Sequence, residues 1–177
     1  MSPWEALAIL AAGLGAGTIN TIVGSGTLIT FPTLLLFGFP PVSANISNNI
    51  GLVAGGISGS WGYRHELTGK SEMLKRFVPL SFAGGLTGSL LLLKLPASAF
   101  KAIVPILILI ALVMVVFGPR LQRSLATRHT DASTGIVAHP AWHAVALAVG
   151  IYVAGIYGGY FGAAQGILMM GILSALT

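Results

Sequence analysis

The feature that most constrains this chain is an apolar run from Ala6 to Phe37 that contains no ionisable residue. One perpendicular crossing of a bilayer core needs about 20 residues, so the run is too long for a single crossing. Its middle, Gly13–Pro32, is rich in glycine, and the segment Gly24–Thr27 has no preference for a continuous helix. Non-helical backbone is tolerated at membrane depth only inside protein or beside a wet cavity. The run therefore predicts an interrupted membrane helix.

An interrupted helix has a chemical consequence, because backbone N–H groups freed behind a helix N-terminus can bind an anion. A soluble globular domain is excluded, since 55% of the residues are hydrophobic and only 7% are charged. The net charge of +5 comes from basic residues scattered between apolar runs, which is typical of membrane loops and not of nucleic-acid binding. Without cysteine, the chain has no disulfide, thiolate nucleophile or cysteine-ligated metal.

The remaining pattern predicts an all-α polytopic membrane protein with further spans at residues 42–63, 77–93 and 100–117. Polar loops at 64–76 and 119–138 are separated by two spans, so we expect them on the same side of the membrane. They hold seven of the nine basic residues, against Lys94 and Lys101 in the opposite turn, and the positive-inside rule places them in the cytoplasm. The expected division is a first transmembrane unit at 1–118, a cytoplasmic linker loop at 119–138 and the beginning of a second unit at 139–177.

The second predicted span carries three asparagines on one helical face. Asn45, Asn48 and Asn49 follow each other at i, i+3 and i+4, near the start of the helix. Interhelical hydrogen bonding, at under about 1–2 kcal/mol for each side chain, is one explanation. The other is contact with a substrate, since neutral donors suit an anion that must also be released.

The sequence pattern at the beginning of the chain is repeated near its end. Residues 139–177 align with residues 1–39 at a constant offset that pairs Gly17 with Gly155 and Gly24 with Gly162. The segment Gly155–Gly166 is thus a second glycine-rich break. Paired glycine-interrupted segments in two halves of a chain indicate a transporter binding site. The relative orientation of the two units stays open, because it depends on whether each break adds a crossing.

These motifs resemble the TauE/SafE-like sulfite exporter family, also called the toluene sulfonate uptake permease family. The resemblance is carried by Gly24-Ser-Gly-Thr followed by Pro32, by Ala44-Asn-Ile-Ser-Asn-Asn with Trp61-Gly-Tyr-Arg64, and by Gly155–Gly166. It implies duplicated four-helix transmembrane units, with glycine-broken first helices, that move small sulfur-containing anions. Because the chain stops at Thr177, inside the second unit, either the sequence is truncated, which we expect, or another chain completes the second half.

The candidate substrate-binding residues lie at the two breaks and on the asparagine face. They are Asn20, Gly24, Ser25, Gly26, Thr27, Asn45, Asn48, Asn49, Tyr157, Gly162, Gln165 and Gly166. For the glycines, the alternative is close helix packing. His139 and His143 have the spacing of a metal pair but no third ligand, so no metal site and no cofactor is expected.

The first functional hypothesis is a secondary transporter in the cell (inner) membrane that moves a small oxyanion by alternating access. The expected partners are this anion and the lipid bilayer, with a homo-oligomer left open. The alternative is a membrane scaffold or subunit that does not transport, whose function would survive replacement of Asn48 and Asn49 by leucine. An enzyme is not expected, because the sequence contains no acid/base, nucleophile or metal constellation.

Overall fold

The computed structural model describes residues 2–130 and 141–176, and the regular structure in these ranges is helical. The helices are α1 (Pro3–Val23), α2 (Thr27–Leu36), α3 (Pro41–Gly62), α4 (Ser71–Lys94), α5 (Ala97–Thr130), α6 (Ala141–Tyr160) and α7 (Gln165–Leu176), with a 3₁₀ turn at Arg64–Leu67. The chain is an all-α polytopic membrane protein.

Both predicted helix interruptions are confirmed. Helix α1 ends at Val23, where Gly24 adopts a left-handed backbone with φ of +73° and donates its N–H to the Asn20 carbonyl. At the second break, Gly162 has φ of +82°. The two glycines stand 138 residues apart, the offset of the repeat, and both use a conformation that costs other residues about 1–2 kcal/mol. The repeat is therefore visible in the backbone as well as in the sequence.

Each break reverses the chain. A Cβ atom on Gly150 of α6 would lie 3.0 Å from the Ile172 side chain, so α7 returns alongside α6. In the first unit, Gly26 packs against α1 beside Ala16, more than one turn before that helix ends. Helix α2 has 10 residues and is about 15 Å long, half the thickness of a bilayer core. The breaks therefore form two helical hairpins, and the second arm of the first one is short.

Helices α4 and α6 pack in parallel through glycine. A Cβ atom on Gly84 would lie 2.3 Å from the Tyr152 carbonyl oxygen, and one on Gly88 would lie 2.1 Å from that of Ile156. Contacts thus advance along both helices in the same direction. The motifs Gly84-x-x-x-Gly88 and Gly155-x-x-x-Gly159 let the two backbones touch, as in close membrane helix pairs.

The two hairpins run in opposite directions. Helix α1 is antiparallel to α2, and short connections at 37–40 and 63–70 make α3 antiparallel to both α2 and α4. Because α4 is parallel to α6, α1 and α6 point in opposite directions. The structure thus favours inverted repeats, one of the two arrangements that the sequence left open.

Three helices are long and apolar enough to cross a membrane, at Pro3–Ile22, Ser71–Lys94 and Ala97–Gly118, among the residues described. Helix α3 has 22 residues, and its asparagines and glycines lower its hydropathy. Trp4 and Trp142, also 138 residues apart, are exposed near the starts of α1 and α6, where an aromatic side chain suits a membrane interface.

Two sequence-based boundaries were wrong. The predicted polar loop from 119 is helical as far as Thr130, because α5 continues past Pro119, and the rest of that segment up to 138 lies outside the described residues. Helix α4 begins at Ser71, so its first turns carry charges that were assigned to a loop. Charged residues can extend a membrane helix beyond the bilayer core, which hydropathy alone does not reveal.

Candidate functional site

The two breaks touch each other. A Cβ atom built on Gly24 would lie 3.0 Å from the Cα atom of Gly166, and one on Gly166 would lie 3.0 Å from the Cα atom of Gly24. Beside this contact, Phe161 of the second break packs edge-on against Phe31 of α2, with ring centroids 5.3 Å apart. Both rings are fully buried. The two predicted halves of the site are therefore adjacent, as discontinuous helices are in transporters with inverted repeats.

Helix α3 lies across both breaks and ties them together with its asparagines. The Asn48 side chain is 5% exposed, and its Nδ2 donates to Thr27 Oγ1 at 3.0 Å and to Asn49 Oδ1 at 3.4 Å. The Thr30 hydroxyl donates to Asn48 Oδ1. Both Nδ2 hydrogen atoms and the Oδ1 atom of Asn48 are thus bound by neighbouring side chains, which makes Asn48 part of the framework of the first break.

A cavity of about 480 Å³ opens beside the first break, between α1, α2 and α3. Its polar lining residues are Asn20, Thr30, Thr33, Ser47 and Asn48, and its glycine lining residues are Gly13, Gly17, Gly51 and Gly55. Among the described residues that line it, none has a charged side chain. The volume is in the range of ligand pockets, and a small set of polar groups in an apolar wall is the usual composition of such pockets.

Asn20 supplies a free donor to this cavity. Its Oδ1 accepts the Gly26 N–H at 3.3 Å, which fixes the orientation of the carboxamide. Within the described chain, the Asn20 Nδ2 has no hydrogen-bond partner, and the residue lines the cavity. A neutral N–H donor that is held in place and left unpaired suits an anionic oxygen atom.

A second cavity of about 310 Å³ lies at the second break. It is lined by Asn49, Leu52, Val53, Ser89, Gly158, Gly159, Gly162 and Gln165. Asn49 repeats the arrangement of Asn20, because its Oδ1 accepts from Asn48 while its Nδ2 is unpaired in the described ranges. The Gln165 carboxamide lies over Gly158, where a Cβ atom would overlap it at 2.2 Å. The predicted asparagine face therefore serves two cavities.

Seven predicted residues line neither cavity: Gly24, Ser25, Gly26, Thr27, Asn45, Tyr157 and Gly166. Asn45 is fully buried and donates to the Tyr160 carbonyl at 2.9 Å, while its Oδ1 has no partner in the described part of the chain. The Tyr157 hydroxyl donates to the Ala163 carbonyl at 2.6 Å and so braces the second break. Ser25 is buried, and its carbonyl accepts the Leu28 N–H at 3.2 Å.

The backbone donors of the first break are largely engaged. Leu28 donates to Ser25, and Ile29 and Thr30 both donate to the Gly26 carbonyl, at 3.0 and 3.4 Å. With the Gly26 N–H bound to Asn20, four backbone donors at the first break and the start of α2 already have partners. This arrangement gives side-chain amides, rather than the glycine backbone, the larger share of free donors at the cavity.

Sequence reasoning missed Thr30, Thr33, Ser47 and Ser89 as cavity-lining residues. For α2, a signal was present. Thr27, Thr30 and Thr33 recur every third residue in an otherwise apolar helix, which marks one polar side. Ser89 gave no such signal, because it lines the second cavity only through the close packing of α4 on α6.

A family model for sulfite exporter TauE/SafE matches residues 9–177. The chain is 29% identical over 167 residues to a probable membrane transporter protein of Haemophilus influenzae. This alignment covers 93% of the chain and 61% of the relative. The chain is also 32% identical over 95 residues to the probable membrane transporter protein YfcA of Escherichia coli K12. That alignment covers 53% of the chain and 35% of the relative.

A third relative is the probable membrane transporter protein ORF9 of Sinorhizobium sp, 32% identical over 102 residues, with 57% of this chain and 39% of the relative covered. The chain therefore spans 61% or less of the length of these three proteins. No solved structure matches the chain significantly.

Proposed function

Because the chain belongs to the TauE/SafE sulfite exporter family, we propose that it forms part of a secondary transporter for a small anion. The substrate class is sulfite, an organosulfonate or a related oxyanion. The protein is a multi-pass protein of the cell (inner) membrane, and it works by alternating access around the two breaks.

One observation carries this proposal: each break has a cavity into which a fixed, unpaired carboxamide donor projects. Asn20 fills this role in the first cavity and Asn49 in the second. Neutral amides can replace part of the water shell of an oxyanion without the large desolvation cost of a buried lysine. They also leave the anion able to depart, as transport requires.

The inverted hairpins support the mechanism. In transporters with inverted repeats, one half rocks against the other around a site at their interface. Here Gly24 and Gly166 meet at that interface, and of the lining residues only Leu52 belongs to both cavities. Movement of one hairpin against the other would change which cavity the anion can reach.

The substitution Asn20→Asp tests the site with little change in shape. The carboxylate still accepts the Gly26 N–H, but the free N–H donor is lost and a negative charge faces the anion. Two like charges about 4 Å apart repel by about 4 kcal/mol at an effective dielectric constant of about 20, which corresponds to a loss of affinity of roughly a thousandfold. The control is Ser60→Asp, which adds the same charge at an exposed position of α3 outside both cavities.

The measurement uses the natural polypeptide that carries residues 1–177, purified and reconstituted in liposomes. We expect sulfite to raise its Tm and to cross the membrane, and we expect Asn20→Asp to abolish both effects while Ser60→Asp retains them. If no oxyanion in a panel raises the Tm and no flux is seen, the transport proposal fails and a membrane scaffold remains. If sulfite acts equally on both variants, the cavity at Asn20 is not the site.

A further inference from the structure

Helix α1 exposes a face made by Leu14, Gly17, Thr18 and Thr21, here termed the α1 outer face. Leu14 is 68% exposed, and both threonines are exposed. A Cβ atom built on Gly17 would meet nothing within 4 Å. Small and β-branched residues on one side of a membrane helix let another helix approach closely, but such a stripe does not by itself show what covers it.

The internal repeat shows what covers the equivalent face. The residues 138 positions later are Tyr152, Gly155, Ile156 and Gly159 of α6, and α4 packs on all four. A Cβ atom on Gly155 would lie 2.7 Å from the Ser81 carbonyl oxygen, and one on Gly159 would lie 2.0 Å from that of Gly85. The Tyr152 hydroxyl is 3.0 Å from the Thr87 hydroxyl. In the second hairpin this face is an interface, whereas in the first hairpin no described residue covers it.

We propose that the α1 outer face docks a transmembrane helix that is the counterpart of α4 in the second repeat unit. Three observations select this occupant. The described second unit contains counterparts of α1 and α2, namely α6 and α7, and the H. influenzae relative has 39% of its length (100 − 61) outside the match. The equivalent face of α6 is covered by a helix with small residues at Ser81, Gly84 and Gly88. The docked helix runs parallel to α1, as α4 runs parallel to α6.

The two interfaces differ at one end. Thr21 stands where α6 has Gly159, so the docked helix cannot approach α1 there as closely as α4 approaches α6. The Thr21 hydroxyl bonds to the Thr18 carbonyl at 2.8 Å, which satisfies its polar group and leaves its methyl group for packing. The docked helix is thus closest at Gly17 and more distant at Thr21.

Docking would also enclose the first cavity. Leu14 and Gly17 belong both to the α1 outer face and to the cavity lining. A helix on this face therefore borders the cavity from the side, as α4 borders the second cavity through Ser89. The docking proposal does not depend on transport. The enclosure of the first cavity by the docked helix, however, rests on the proposed function.

Photocrosslinking tests the occupant. p-Benzoylphenylalanine is placed at Thr18, or at Gly15 as the control, in the natural polypeptide in native membranes. Gly15 is exposed on another side of the same helix, and a Cβ atom there would also meet nothing within 4 Å. We expect position 18 to give an adduct within one polypeptide, at a segment other than residues 1–177, and position 15 to give lipid adducts. An adduct to a second copy, seen as a doubled mass, or lipid adducts alone at position 18, would overturn the proposal.

A second variant pair keeps the proposal testable if the photoreactive side chain disturbs folding. Gly17→Leu and Gly15→Leu both enter open space in the described chain. We expect Gly17→Leu to lower the Tm and the yield of folded protein, because it separates the docked helix, and Gly15→Leu to leave both unchanged. Equal values for the two variants would overturn the docking proposal. Neither readout requires transport, so failure of docking is distinguishable from failure of the proposed function.

Discussion

Two glycines with left-handed backbone, Gly24 and Gly162, shape the breaks at the scale of single residues. Sequence alone predicted both positions, because glycine tolerates this conformation and the repeat marks the pair. It could not predict their surroundings. A Cβ atom on Gly162 would lie 3.2 Å from Asn49 Oδ1, so the second break and the asparagine face are in contact. That contact depends on how α3 crosses the break.

The substitution Gly162→Ala should impair transport beyond its effect on stability. Alanine at φ of +82° costs about 1–2 kcal/mol, and its methyl group would press on Asn49. Gly69→Ala is the matched control, since Gly69 has the same φ of +82° and open space around it. We expect a loss in the free energy of unfolding for both variants, larger for Gly162→Ala because of its close contacts, and a lower sulfite flux per folded molecule only for Gly162→Ala. Equal flux would mean that this break is purely structural.

A comparison of Gly26→Val with Gly84→Val would not distinguish the first break from ordinary helix packing. A Cβ atom would lie 2.4 Å from the Ala16 carbonyl oxygen at Gly26 and 2.3 Å from that of Tyr152 at Gly84. Both changes would force helices apart. Asn48→Leu has a similar problem, since it would remove the hydrogen bonds that Asn48 makes with Thr27 and Thr30. Asn20→Asp avoids both difficulties.

At the scale of secondary structure elements, the sequence of α4 does not show which of its glycines bring a side-chain position against a neighbouring helix. Gly84 and Gly88 lie against α6, whereas a Cβ atom on Gly85 would meet nothing within 4 Å. Three glycines within five residues leave several helical faces open to packing. The partner helix α6 selects one face, and that choice is a property of tertiary structure.

This difference predicts opposite effects for adjacent glycines of α4. Gly88→Ala would place a methyl group about 2.1 Å from the Ile156 carbonyl oxygen and should cost about 1–3 kcal/mol as the helices separate. Gly85→Ala adds a better helix former in open space and should gain up to about 1 kcal/mol. Tm measurements in detergent check the predicted loss of stability for Gly88→Ala and the predicted gain for Gly85→Ala. A Tm for Gly88→Ala equal to or above that of Gly85→Ala would contradict the close packing of α4 on α6.

At the scale of the whole molecule, the sequence predicted duplicated units but left their orientation open. Orientation depends on whether α2 completes a crossing or returns, and an apolar run does not reveal the direction of its second half. In the structure, Gly26 packs back against Ala16, and Gly150 lies against Ile172. These two contacts turn both hairpins back and make the repeats inverted.

The inverted arrangement predicts which chain segments face which side of the membrane. With α4 and α6 starting in the cytoplasm, as the basic residues indicate, α1 starts on the outer side. The chain has no cysteine, so single cysteines can be introduced without background at Ser2, Ser71 and Ser98, which are all exposed. The Ser133 position of the predicted linker lies outside the described residues, so Ser71 represents the cytoplasmic side.

An impermeant thiol reagent applied to intact cells should label the cysteines at positions 2 and 98 and spare the one at position 71. Ser2 precedes α1, and Ser98 follows the short turn after α4, so both lie on the side opposite to Ser71. Permeabilised cells, in which all three cysteines should react, provide the control for accessibility. Protection of positions 2 and 71 together, with labelling of position 98, would show parallel repeats and would contradict the hairpin geometry. Labelling of position 71 with protection of the other two would keep the inverted repeats but reverse the orientation, because only the assignment from basic residues would then be wrong.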